Sequence, residues 1–166
     1  MSSNTRITTA FHILDRTTLL LAGLGLLGMA LVQGWQVFAR YVLNDSPSWT
    51  EPVALLFMST TMMLGAATGV RSNRHFGFFI LVESVGARRR LVLLAIARLI
   101  AAAIGAMLAL GGLKMLTDSW DYPIAGAALP QGLAYLPMTL GGLLITIFAL
   151  ERLFIPDAAP SAPEAE

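Results

Sequence analysis

Cysteine is absent from the 166-residue chain, which excludes disulfides, thiolate chemistry and cysteine-ligated metal or iron–sulfur centres while leaving the compartment open. Charge is scarce. Only 13% of the residues are Asp, Glu, Lys or Arg, and eleven basic against ten acidic side chains leave a net charge of +1, too small to attract nucleic acid. No HExxH motif, Gly-rich phosphate loop, nucleophile elbow or carboxylate pair within an apolar run is present. The two histidines, His12 and His75, flank different runs and make no metal or haem site without further ligands. These absences speak against an enzyme and imply no cofactor.

What remains is apolar. Hydrophobic residues make up 56% of the chain and the mean hydropathy is +0.71, more than a soluble domain of this size keeps off its surface. A membrane-crossing helix needs roughly 20 mostly apolar residues. Four stretches qualify, at about 17–42, 50–70, 91–116 and 132–154. The expected fold is an all-α integral membrane protein, one four-span bundle over residues 1–155. A fifth apolar piece, His75–Gly86, is too short to cross. It reads as an interfacial helix between spans two and three, with Phe76, Phe79 and Ile80 toward lipid and Glu83 toward water, the alternative being an ordinary loop. The Ala/Pro/Glu-rich segment 156–166 reads as a disordered tail. The first run is too long for a signal-peptide core, and no cleavage pattern follows it.

Orientation follows from Lys and Arg, which cytoplasmic loops retain. Arg6, Arg16, Arg71, Arg74, Arg88, Arg89, Arg90 and Arg152 share one side of this arrangement, whereas only Arg40 and Lys114 fall on the other. Both termini are therefore expected in the cytoplasm. Every Trp and Tyr (Trp35, Tyr41, Trp49, Trp120, Tyr122, Tyr135) falls at the opposite, outward end, as suits a surface that docks a partner. Arg88, Arg89 and Arg90 read as an anchor for anionic lipid. Arg98, about two turns inside span three, reads as snorkelling to lipid phosphates, with a buried ion pair to a partner as the other possibility.

The outward connection between spans one and two concentrates turn chemistry. Asn44-Asp45-Ser46-Pro47 is a turn, and Ser48-Trp49-Thr50-Glu51 has the S-x-x-E form of a capping box that would start span two, with Pro52 in the first helical turn. Arg40 either snorkels outward or pairs with Asp45 or Glu51. Inside the spans the polar residues are uncharged: Gln33, Gln36, Ser59, Thr60, Thr61, Thr139 and Thr146. Such residues commonly hydrogen-bond to backbone or to a neighbouring helix, so no transport path through this chain alone is expected. Gly65-x-x-x-Gly69, Ala30-x-x-x-Gly34 and Ala101/Gly105/Ala109 have the spacing that lets helices approach closely.

Four features in order carry a family resemblance over about Arg16 to Phe154. They are the Arg40-Tyr41 pair closing span one, the Ser48-Trp49-Thr50-Glu51 entry to span two, the segment Gly65 to Phe76, and the Gly/Ala/Leu/Pro approach Gly126 to Pro137. Together they resemble the small membrane subunit of tripartite ATP-independent periplasmic (TRAP) transporters. That family often has a second acidic residue where this chain has Pro52. The resemblance implies a multi-pass protein of the bacterial inner membrane that braces a large multi-span transport subunit. The large subunit takes up an organic acid from a periplasmic substrate-binding protein and is driven by sodium. It also implies partner contacts at Arg40, Trp49 and Glu51 on the outer face, at Gly65 and Gly69 between helices, and at Arg71, Arg74 and His75 at the cytoplasmic corner. The competing function is a self-sufficient four-span exporter acting as a homodimer. Such a protein needs a carboxylate within a span, and Glu51, the nearest candidate, sits at a helix entrance. A lipid-modifying enzyme lacks a nucleophile and metal ligands. The transported substrate is not legible here.

Overall fold

A computed structural model describes residues 2–72 and 87–154, with side chains over 8–72 and 91–154. Four helices account for most of them: α1 (Ser2–Tyr41), α2 (Thr50–Arg71), α3 (Ala87–Asp118) and α4 (Leu136–Phe154), the last entered through a 3-10 turn at Gln131–Tyr135. Each carries a stretch long and apolar enough to cross a membrane. The protein is an all-α membrane protein with four spans, as expected; the segment His75–Gly86 lies outside the described residues.

Helix ends follow local chemistry. No proline precedes Pro47, so nothing interrupts α1 over its 40 residues, about 60 Å at 1.5 Å per residue and twice the hydrocarbon thickness. It ends where Asn44 adopts a left-handed conformation (φ 52°) and the Asp45 N–H turns back to the Ala39 carbonyl at 3.1 Å. Asn tolerates that region better than most residues. Pro52 falls in the first turn of α2, where a missing N–H costs little. The 119–135 connection is ordered by its own backbone: Ile124 N–H donates to Leu129 O at 2.8 Å and Gln131 N–H to Tyr122 O at 2.7 Å.

The helices stand in a row. α1 packs on α2, α2 on α4, and α4 on α3, and no other pair of the four packs extensively. A closed bundle would bury one stripe of every helix, whereas this row leaves two broad faces open. Only 17, 17, 17 and 33% of the four apolar windows is buried within the chain. Leu24, Leu27 and Leu31 of α1, Met58 and Met62 of α2, and Ile104, Met107 and Leu110 of α3 are all exposed. Such surface is tolerable only against lipid or another membrane protein.

Close approach at each seam depends on small residues. A methyl group on Gly25 of α1 would stand 2.7 Å from Thr61 Oγ1 of α2; on Gly141 of α4, 2.5 Å from Met63 Cβ of α2; on Gly142, 2.5 Å from the Ala109 nitrogen of α3. Of the expected small-residue motifs, Ala101/Gly105/Ala109 packs within the chain: Ala101 is buried beside Ala149, and Gly105 faces Thr146. Among the described residues, Gly34 and Gly65 have nothing within 4 Å of an added methyl.

Candidate functional site

Three sequence-distant charges meet at the end of the row where α2 and α4 finish. Arg71, the last residue of α2, donates through Nε to Glu151 Oε2 at 2.9 Å and through Nη2 to Glu151 Oε1 at 3.1 Å, a two-pronged pair with α4. Its Nη1 reaches Asp15 Oδ2 of α1 at 3.0 Å. The Arg71 and Glu151 side chains are each 6% exposed and that of Asp15 29%. Phe148, fully buried, places its ring 5.8 Å from the guanidinium carbon. Planar guanidinium matches carboxylate geometry in a way an ammonium does not, so the fork fixes direction as well as distance.

The polar chain continues across the row. Arg152 Nε of α4 donates to the Arg71 carbonyl of α2 at 2.8 Å, and Arg98 Nη1 of α3 donates to the Arg152 carbonyl. Asp15, Arg71, Glu151, Arg152 and Arg98 thus tie all four helices at one end. Glu151 near the C-terminus of α4 opposes that helix's dipole, which costs about 0.3–1 kcal/mol. Removing one partner of a buried pair costs about 3–5 kcal/mol, so pairing outweighs the dipole.

At the other end, the two loops are tied to each other. Ser48 Oγ donates to the Gly126 carbonyl at 2.9 Å. Gly126 has φ +87°, and a methyl group there would lie 2.6 Å from the Ser48 carbonyl oxygen. This contact replaces the expected capping box. Trp49 is the residue before α2 and no side chain caps the helix, because the Ser48 hydroxyl is committed across the loops. Thr50 Oγ1 instead donates to the Pro47 carbonyl at 2.8 Å.

The residues singled out from sequence separate accordingly. Arg71 is 5% exposed, and its guanidinium pairs with Glu151 and Asp15 of its own chain. The Arg98 guanidinium donates through Nη1 to a carbonyl of α4. Arg40, Trp49 and Glu51 are exposed at the loop end, and among the described residues Arg40 pairs with neither Asp45 nor Glu51. Gly65 lies on an open face of α2. Gly69 is half-buried, its carbonyl accepting from Ser72 Oγ at 3.3 Å. Arg74 and His75 lie outside the described residues, as do the side chains of Arg88, Arg89 and Arg90 in the first turn of α3.

Asp15 and Glu151 were not singled out by sequence reasoning. A signal existed: each is an acidic residue on the side otherwise dominated by Arg, directly followed by an arginine (Asp15-Arg16, Glu151-Arg152).

The comparisons with known proteins agree with this architecture. Residues 29–156 match the family described as tripartite ATP-independent periplasmic transporters, DctQ component. A similar protein is the sialic acid TRAP transporter small permease protein SiaQ of Vibrio cholerae serotype O1, 24% identical over 121 residues, which cover 72% of this chain and 69% of that one. That family is one of transporter subunits and not of enzymes. Four apolar spans, charges gathered at the helix ends and a match over most of the length lead to one conclusion: the chain belongs to the DctQ component family of TRAP transporters and is a small permease subunit, multi-pass in the inner membrane.

Proposed function

We propose that this subunit is a brace. It holds the large transport subunit in the membrane during sodium-driven uptake of an organic acid handed over by a periplasmic binding protein. The observation that carries the reading is a contrast: the row offers two open apolar faces, yet no Asp, Glu, Lys or Arg stands between residues 17–39, 52–70, 99–113 or 136–150 of the four spans. A solute or proton path needs such groups near mid-bilayer, whereas a brace needs none. The carboxylate class of cargo is supported by the Vibrio cholerae relative, whose name specifies sialic acid.

The basic end, with both termini, faces the cytoplasm in this reading, and the loop end with its aromatic residues faces the periplasm. The chain has no cysteine, so single cysteines at Ser46 and at Ser161 report sidedness without background. An impermeant maleimide added to intact spheroplasts is expected to label position 46 and spare position 161; the reverse pattern would invert the orientation. The homodimeric exporter has little support, since Glu51 sits in the first turn of α2 and not at depth. Uptake measured with the large subunit and binding protein present, with or without this chain, separates the two: the brace predicts sodium-dependent uptake that drops when this chain is left out.

A further inference from the structure

A cleft of about 620 Å³ opens at the loop end, between the start of α2 and the α3–α4 connection. Its floor is apolar, from Leu55, Leu56, Ile124 and Ala134, and its polar side chains are Glu51, Ser59, Gln131 and Ser48, the last committed to Gly126. The upper wall is fixed in place by the Ser48–Gly126 hydrogen bond. Glu51 is exposed, and among the described residues its carboxylate has no ion pair or hydrogen bond. Trp49, two residues away and 43% exposed, sets this level at the headgroup region. From Glu51 to Ser59 the cleft descends eight residues of helix, about 12 Å into the span. One wall therefore runs from an uncompensated carboxylate at the interface to aliphatic side chains at acyl-chain depth.

We propose that this cleft binds one phospholipid bearing a primary ammonium headgroup. The ammonium donates to the Glu51 carboxylate, Gln131 and the Ser59 hydroxyl serve the phosphate and ester oxygens, and an acyl chain lies along Leu55 and Leu56. Three properties select this occupant. The carboxylate repels an anionic headgroup. A quaternary ammonium has no N–H to give it, whereas a primary one has three. The floor is too apolar for a purely polar ligand, and its volume falls within the ordinary range of ligand sites. The assignment holds whichever side of the membrane the loop end faces, so it stands apart from the bracing role.

The test is native mass spectrometry of the full chain in detergent with an equimolar mixture of phosphatidylethanolamine, phosphatidylcholine and phosphatidylglycerol of identical acyl chains. One phosphatidylethanolamine is expected to be retained, favoured about tenfold over each of the others, in line with a charge-assisted hydrogen bond. Glu51→Gln should erase the preference, and Ala134→Trp, which fills the cleft from an exposed position, should abolish retention with helicity and melting unchanged. Equal retention of the three lipids, or an undiminished preference in Glu51→Gln, would overturn the proposal. So would capture of the large subunit in place of lipid by a photo-crosslinker at Leu55 in the assembled complex.

Discussion

Arg71 is the side chain on which the terminal end of the row depends. It sits at the C-terminus of α2, where a cation is favoured by the helix dipole, but its partners lie 56 and 80 residues away in sequence. Glu151→Ala takes the two-pronged partner from a buried guanidinium and leaves it only Asp15, and we expect it to cost about 3 kcal/mol in unfolding of the purified subunit followed by circular dichroism. Asp15→Ala, which removes one hydrogen bond from a partly exposed carboxylate, should cost about 1 kcal/mol. The double variant Arg71→Met/Glu151→Leu should recover more than half of the Glu151→Ala loss, because it removes both members of the buried pair and the carboxylate it leaves unpaired, Asp15, is partly exposed. A double variant as unstable as the sum of its single changes would contradict this account of the pair. The sequence alone could not assemble the cluster. Asp15 and Glu151 each look like an ordinary interfacial charge until the helices are side by side.

At the scale of helices and loops, the spans were legible because length, hydropathy and turn residues act locally. The Asn44–Pro52 turn and the start of α2 fell where turn chemistry put them. The starts of α1 and α3 did not. Each helix begins several residues before its apolar run, since hydropathy marks the bilayer and helix propensity does not stop there. The order α1–α2–α4–α3 was not legible either, because spans apolar on every side announce no packing face. Glycines that pack and glycines that face outward look alike in sequence, yet they should behave differently. Gly142→Leu meets the backbone of Ala109 and should lower the melting temperature of the subunit alone. The Cβ of Gly65→Leu meets nothing within 4 Å among the described residues, and this variant should leave that temperature unchanged while reducing recovery of the large subunit in co-purification. If both variants behave the same way in both assays, the division into internal and outward seams fails. Gly126→Ala should strain the left-handed turn by about 1–2 kcal/mol and speed amide exchange over 119–135; an unchanged exchange pattern would show that the loop tie is dispensable.

For the molecule as a whole, the two ends and the middle divide the work. A polar chain locks one end, a tied pair of loops orders the other, and the apolar stretch between them presents surface without a titratable group. Most of the apolar area of the described residues awaits a neighbour or lipid, as the proposed brace requires. The most direct measurement is solute uptake into proteoliposomes containing this chain alone, the large subunit alone, or both, with the binding protein and a sodium gradient supplied throughout. The brace predicts no uptake from this chain alone and the highest rate from the pair; uptake driven by this chain without the large subunit would contradict it.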